Sequence, residues 1–259
     1  MENRMELYLG LPSKVARSKK DLFATIKDRI WARISGWNEK LLSQAGKEIL
    51  IKSVIQAIPS YAMGCFKLPV TLLSELQGMI ARFWWHNRGS SKIHWLSYQR
   101  LCESKLQGGL GFRKLRCFNQ AMLAKQLWRI MHRPDRLLCQ VLKAKYFPRG
   151  DVFSAQLGCR PSFTWRSLMS AQPLIRAGCQ WRVGSGCQIR VWKDPWLPRP
   201  FTFRPITPVS ATSPELRVAD LLDSSTSAWN VSRVRELFWP LDSELILSIP
   251  LAGLVVMIL

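Results

Sequence analysis

Apolar side chains recur every three or four positions through the first third of the chain, which is the spacing of amphipathic helices. The first helix is predicted from Ser18 to Gly36, and a second from about Ser43 to Pro59. In the second helix, Lys47 and Lys52 are expected on the polar faces. The apolar positions of the two helices are Leu22, Phe23, Ile26, Ile30 and Ile34, then Ile49, Leu50, Val54, Ile55 and Ile58.

A third helix is predicted after Pro69, and it ends in an aromatic cluster, Phe83, Trp84 and Trp85. Such clusters pack in the core of most proteins, although exposed aromatic rings also stack on nucleic-acid bases. Core packing is the favoured interpretation here.

The middle of the chain predicts further helices separated by a glycine-rich break. A short helix is expected over 95–102, followed by a turn at Gly108, Gly109 and Gly111. Asn119 is predicted to cap the next helix, which Pro134 ends, and another helix is predicted over 137–146.

Beyond residue 160 the pattern changes from helical to mixed. After a helical segment at 162–177, polar and apolar residues alternate on both sides of Gly184–Ser185–Gly186, which predicts a β-hairpin. Proline, serine and threonine then dominate as far as Pro214, a composition typical of a linker. Two or three short helices are expected after it, so the fold class is mainly α with one small β-hairpin.

Charge adds a binding partner to this picture. The chain has a formal net charge of +21, and residues 61–200 hold 23 basic and five acidic side chains. A compact body with that excess repels itself unless a polyanion screens it. Nucleic acid is favoured over an anionic membrane surface or a protein that is merely basic.

The most basic stretch, residues 92–129, is the candidate nucleic-acid interface. Its aromatic residues alternate with cations, as in Phe112–Arg113, and its glycine turn is expected to expose backbone amides. The alternative is a solvated surface that only keeps the protein soluble. The candidate phosphate-contacting residues are Lys92, Arg100, Lys105, Arg113, Lys114, Arg116, Lys125 and Arg129.

The motifs of catalysis, metal binding and cofactor binding are missing from the sequence. Gly46–Lys47 lacks the preceding glycine and the following hydroxyl residue of a phosphate loop, so a helix is favoured there. Seven single cysteines and three histidines form no zinc spacing and predict free thiols in a reducing compartment. Asp194 is solitary, which favours a turn aspartate. We expect no metal, cofactor or membrane anchor.

Several long phrases resemble the reverse-transcriptase polyprotein of plant LINE-type non-LTR retrotransposons. They include YLGLP at 8–12, WNEKLLSQAGKEILIKSVIQAIP at 37–59, KIHWLSYQRLC at 92–102 and GGLGFRKLRCFNQAMLAKQLWR at 108–129. KAKYFP, FTWRS and WRVGSGCQIRVWKDPWLP continue the likeness, which extends to about Leu251. The family's catalytic aspartates would precede Met1, and its zinc-binding cluster would follow Pro250, where LAGLVVMIL stands instead.

The resemblance implies an incomplete domain of a larger polyprotein. Its parts would be the end of the palm at 1–12, a thumb-like helical bundle at 13–90 and a basic helical connection at 91–160. A helix with the β-hairpin at 161–198 and a poorly anchored linker and tail at 199–259 would follow.

The same resemblance implies a non-catalytic function. The fragment would contact the template and primer, as RNA, RNA–DNA or DNA duplex, through sequence-independent backbone contacts in an intracellular ribonucleoprotein. Two alternatives stay open: an assembly module that pairs with a separate palm-containing reverse transcriptase, and an active polymerase or ribonuclease H with unrecognised catalytic residues.

Overall fold

The protein is mainly helical, as predicted. A computed structural model describes residues 23–38, 42–86, 93–200, 202–209, 213–223 and 228–251, together with the backbone of 7–8, 11–12 and 256–258. These residues group into two compact units, Met1–Gln172 and Pro173–Leu259. The finer domain boundaries predicted at residues 12, 90, 160 and 198 stay predictions.

The first unit is a bundle of helices with a short strand pair before it. Strand β1 (Leu7–Tyr8) pairs antiparallel with β2 (Leu11–Pro12). The helices are α1 (Ala24–Asn38), α2 (Gln44–Leu50), α3 (Ser60–Cys65), α4 (Val70–Trp85), α5 (Tyr98–Leu101), α6 (Leu115–His132), α7 (Leu137–Tyr146) and α8 (Phe163–Met169). A π-helix (Ile51–Ile55) extends α2, and a 3₁₀ turn (Lys105–Gln107) follows α5.

The core of this unit joins the predicted bundle to the predicted basic connection. Helix α6 packs on α3, α4 and α8, and α4 also packs on α1 and α2. The predicted apolar positions of α1 that the structure describes, from Phe23 to Ile34, are buried, and so are Phe83 and Trp84 at the end of α4. Core packing of that aromatic cluster is therefore confirmed for these two rings.

The face assigned to the second helix is partly wrong. Lys47 is buried and Ile49 is exposed, because the inward positions are Lys47, Ile51 and Ile55, spaced by four residues. The π turn, closed by a 3.0 Å bond from the Gln56 amide to the Ile51 carbonyl, allows that spacing. The Lys47 ammonium donates to the His86 carbonyl, and burial lowers the pKa of Lys47.

Asn119 is not a helix cap. Helix α6 begins four residues earlier, and the Asn119 side chain lies buried inside the unit. Its amide nitrogen donates to the carbonyls of Met63 and Phe66 at 2.8 and 2.9 Å, and its oxygen accepts from the Leu68 amide at 2.9 Å. These bonds satisfy backbone groups at the end of α3 that the helix itself leaves unpaired.

The second unit corrects the predicted β-hairpin. Strand β3 (Gln180–Arg182) pairs antiparallel with β4 (Val256–Ile258), and Arg190 bridges to Arg217. The two arms predicted for the hairpin do not pair as strands with each other, and the carbonyl of Gly186 accepts the amide of Ala219, in a 3₁₀ helix at Val218–Leu221, as well as that of Ile189. The turn thus directs residues 189–191 against a distant segment.

The tail predicted as poorly anchored contributes half of a second core. Val183, Ile189, Val191, Trp196 and Leu197 pack with later residues of the same unit. Helices α10 (Val231–Leu237) and α11 (Pro240–Ser248) follow α9 (Gln172–Gly178) in chain order. The later members of the core are Leu216, Val218, Leu221, Val234, Phe238 and Ile246.

The segment predicted as a linker is also fixed. The fully buried Asp242 of α11 accepts hydrogen bonds from the amides of Ile206 and Thr207 and forms an ion pair with Arg199.

Asp194 is a turn aspartate, as predicted, since its carboxylate accepts a hydrogen bond from the Arg190 amide at 2.7 Å.

Candidate nucleic-acid interface

The glycine turn between α5 and α6 is closed by its own backbone. The amides of Gly109, Leu110 and Gly111 donate to the carbonyls of Ser104, Leu101 and Glu103 at 3.0, 3.0 and 2.7 Å. The amide groups predicted to face a ligand are therefore already bonded, and that part of the prediction is wrong. Only side chains of this segment remain available to a phosphate.

Gly108 and Gly111 hold the turn in a shape that other residues resist. Both have left-handed φ angles, 77° and 67°. At Gly109 an added Cβ would clash with the Glu103 carbonyl. The turn is thus a rigid connection that sets where α6 begins.

The cations of the predicted interface differ in their surroundings. Lys105 pairs with Glu48 and Lys114 with Glu103, both at 2.9 Å. The guanidinium of Arg113 lies 4.5 Å from the centre of the Phe118 ring. All of these side chains are exposed, but these three have partners within the protein, whereas Arg100, Arg116, Lys125 and Arg129 form no ion pair among the described residues. Lys92 lies outside the described residues.

The aromatic residues of the stretch mostly serve the core. Phe112 is buried and meets Trp84 edge to face, with 5.8 Å between ring centres. Trp128 is half-buried, and its ring lies 3.9 Å from that of His132. The predicted alternation of cations with base-stacking rings therefore does not hold for Phe112.

A groove of about 380 Å³ lies beside the start of α6. Lys114 and Arg116 line it on one side and Ser74, Gln77 and Gln99 supply polar groups. Glu103 is also in the lining, and its carboxylate is negatively charged, because the ion pair with Lys114 holds the pKa of that carboxyl below its ordinary value. The groove could take an anionic group only next to Lys114 and Arg116.

Exposed positive charge extends beyond the stretch predicted as the interface. Residues 93–172 carry fourteen basic and three acidic side chains, and every one of the fourteen is exposed. Seven lie beyond Arg129, after α6, and a count of charge past residue 129 would have found them. They are Arg133, Arg136, Lys143, Lys145, Arg149, Arg160 and, on α8, Arg166.

Several acidic groups in the described residues form ion pairs with cations of the protein. Glu48 pairs with both Lys52 and Lys105, which lower the pKa of its carboxyl. Within the same residues there is no group of three or more histidine, cysteine or acidic side chains placed to hold a metal ion. Across that portion of the chain, none of the helices has the length and apolarity needed to cross a membrane.

Two plant proteins are similar in sequence. The chain is 43% identical over 143 residues to the uncharacterized mitochondrial protein AtMg00310 of Arabidopsis thaliana, covering 54% of this chain and 93% of the relative. It is 34% identical over 191 residues to the putative ribonuclease H protein At1g65750 of the same plant, covering 72% of this chain and 31% of that protein. The chain thus spans about a third of the second relative. No family model matches the sequence. Because it matches nearly the whole of the mitochondrial protein, the chain belongs to the same protein family as AtMg00310.

Proposed function

We propose that this chain is a non-catalytic, nucleic-acid-binding part of a LINE-type reverse-transcriptase protein, and that it grips RNA–DNA or DNA duplexes by their phosphates. The observation that carries the proposal is the exposed charge of residues 93–172. Of their fourteen cations, Lys105 and Lys114 alone form ion pairs within the described residues. Of the other twelve, Arg113 lies against the Phe118 ring, and the remaining eleven are exposed side chains that can neutralise phosphates.

Phosphate contacts account for affinity without sequence preference, because they position a protein on a duplex and read no bases. Each neutralised phosphate releases counterions, so affinity falls steeply with salt. We expect a Kd of about 10⁻⁴ to 10⁻⁶ M at physiological salt. The relative named as a ribonuclease H protein supports a retroelement origin.

The non-catalytic part of the proposal is supported by the use of the acidic side chains. Two-metal nucleotidyl transfer needs clustered carboxylates, whereas Glu48, Glu103 and Asp242 each pair with a cation of the protein.

The test is fluorescence anisotropy of the full chain with a labelled RNA–DNA hybrid at several salt concentrations. Binding at low salt with a steep linear loss on a logarithmic plot is expected. An absence of binding at low salt would end the proposal. A primer-extension reaction with magnesium should give no product; a product would show that the chain is an active polymerase.

A further inference from the structure

Helix α7 is apolar on two sides, one buried and one exposed. Its inner side places Cys139 and Leu142 in the core, and at its end Tyr146 stacks on Trp165 with 4.6 Å between ring centres. Its outer side carries three aliphatic side chains, Leu137, Leu138 and Val141, which are 75%, 52% and 55% exposed. At 3.6 residues per turn these three fall within an arc of roughly 100°.

This outer face is not needed to hold the helix. The inner contacts and the ring stack already anchor α7, and the Tyr146 hydroxyl accepts a hydrogen bond from the Ser162 amide at 2.9 Å. Clustered aliphatic groups left in water mark interaction surfaces more often than isolated ones. The spacing of Leu137, Leu138 and Val141 is that of one side of a helix-in-groove contact.

Positive charge predominates beside the aliphatic face. Arg133 and Arg136 precede it with the acid Asp135 between them, and on α7 Lys145 lies on the same side of the helix while Lys143 lies toward the other side; all of these side chains are exposed. A second copy of this chain would bring the same cations together, which charge repulsion disfavours. A phosphate group is strongly hydrated, so contact with three aliphatic side chains would not favour its binding there.

We propose that this face of α7 docks an acidic amphipathic helix of another protein. Aliphatic side chains of that helix would cover Leu137, Leu138 and Val141, and its carboxylates would lie toward Arg136 and Lys145. The inference goes beyond the nucleic-acid interface and does not depend on it.

The test uses a fluorescein-labelled helical peptide with leucines at helical spacing flanked by glutamates, and a matched peptide with lysines in place of the glutamates. The full chain should bind the acidic peptide and not the basic one. The double variant Leu137→Gln/Val141→Gln should raise the Kd about tenfold or more, which corresponds to about 1.4 kcal/mol. Glutamine keeps helix propensity and charge. The control Leu106→Gln, which changes a leucine that is 99% exposed in the 3₁₀ turn after α5, should leave the Kd unchanged.

Three results would overturn the inference: no binding of the acidic peptide, equal binding of the two peptides, or equal binding by the double variant. Displacement of the peptide by the RNA–DNA hybrid, with hybrid affinity lost in the double variant, would assign the face to nucleic acid. Self-association of the unmodified chain in sedimentation, abolished by the double variant, would assign it to a second copy. If the hybrid binds the double variant normally, the two proposals stand or fall separately.

Discussion

The side chain of Asn119 shows how one buried amide organises the first unit. Its three hydrogen bonds join α6 to the end of α3 across more than fifty positions of sequence. A buried donor or acceptor that loses its partner costs about 1–3 kcal/mol. The residue type alone could not reveal this, because asparagine before a helical pattern is usually a cap.

Replacing Asn119 with alanine is expected to lower the free energy of unfolding by about 3 kcal/mol, since the carbonyls of Met63 and Phe66 and the amide of Leu68 lose a buried partner. Urea denaturation followed by circular dichroism would measure the change. The exposed Lys125→Ala on the same helix serves as the control and should change stability by less than about 0.5 kcal/mol. Equal effects of the two substitutions would contradict the structural role of Asn119.

The ion pair of Glu103 with Lys114 withholds a cation from phosphate. Lys114 lowers the pKa of the Glu103 carboxyl, so the pair is present at pH values above the ordinary 4.5 and is lost only as the pH falls through the lower, folded value. Between about pH 5 and 8 the substitution Glu103→Gln should therefore free Lys114. We expect hybrid affinity to rise about two- to fivefold and the salt slope to steepen by about one.

The matched control is Glu236→Gln, which removes an exposed acid on α10 of the second unit. Anisotropy with the labelled hybrid compares the two variants at the same salt. If Glu236→Gln raises affinity as much as Glu103→Gln, the gain reflects overall charge and not the release of Lys114.

Among the elements, the glycine turn between α5 and α6 depends on one close backbone contact. Gly109→Ala would force a Cβ against the Glu103 carbonyl, so a loss of about 1–3 kcal/mol in unfolding free energy is expected. The same change at Gly36 in α1, where an added Cβ meets nothing within 4 Å, should stabilise by about 0.5–1 kcal/mol. Opposite signs in thermal or urea unfolding are the expected outcome; a neutral Gly109→Ala would show that the turn can relax.

Helices were predictable where local periodicity decides burial, as in α1, whose predicted apolar positions Ile26, Ile30 and Ile34 are buried. The prediction failed where distant residues decide. Lys47 is buried because the π-helix and α4 define its side of α2, and the β-hairpin was wrong because residues 189–191 pair with 216–218. In the candidate site Arg116, Lys125 and Arg129 are exposed, as both the interface interpretation and the solvated-surface alternative require, so their role stays a prediction. The bonded glycine amides and the buried Phe112 required the three-dimensional contacts.

At the scale of the whole molecule, positive charge is concentrated in one part of the chain. Residues 93–172 carry a net charge of +11, about half of the total of +21. The second unit contains several arginines, but Arg190 and Arg199 lie within 4 Å of the carboxylates of Asp194 and Asp242. Location, and not the total, should therefore determine the salt dependence of binding.

Removing two cations from each unit tests this directly. Lys125→Gln/Arg129→Gln on α6 should reduce the salt slope of hybrid binding by about 1.8, because each phosphate contact contributes about 0.9. Arg233→Gln/Arg235→Gln on α10 removes the same charge from exposed positions in the second unit and should leave the slope unchanged. Both doubles lower the net charge equally, so a general charge effect predicts equal slopes. If the interface lies on the first unit, only the α6 variant should have a smaller salt slope than the unmodified chain. Equal slopes for the two variants would show that Lys125 and Arg129 belong to a solvated surface and do not contact phosphates.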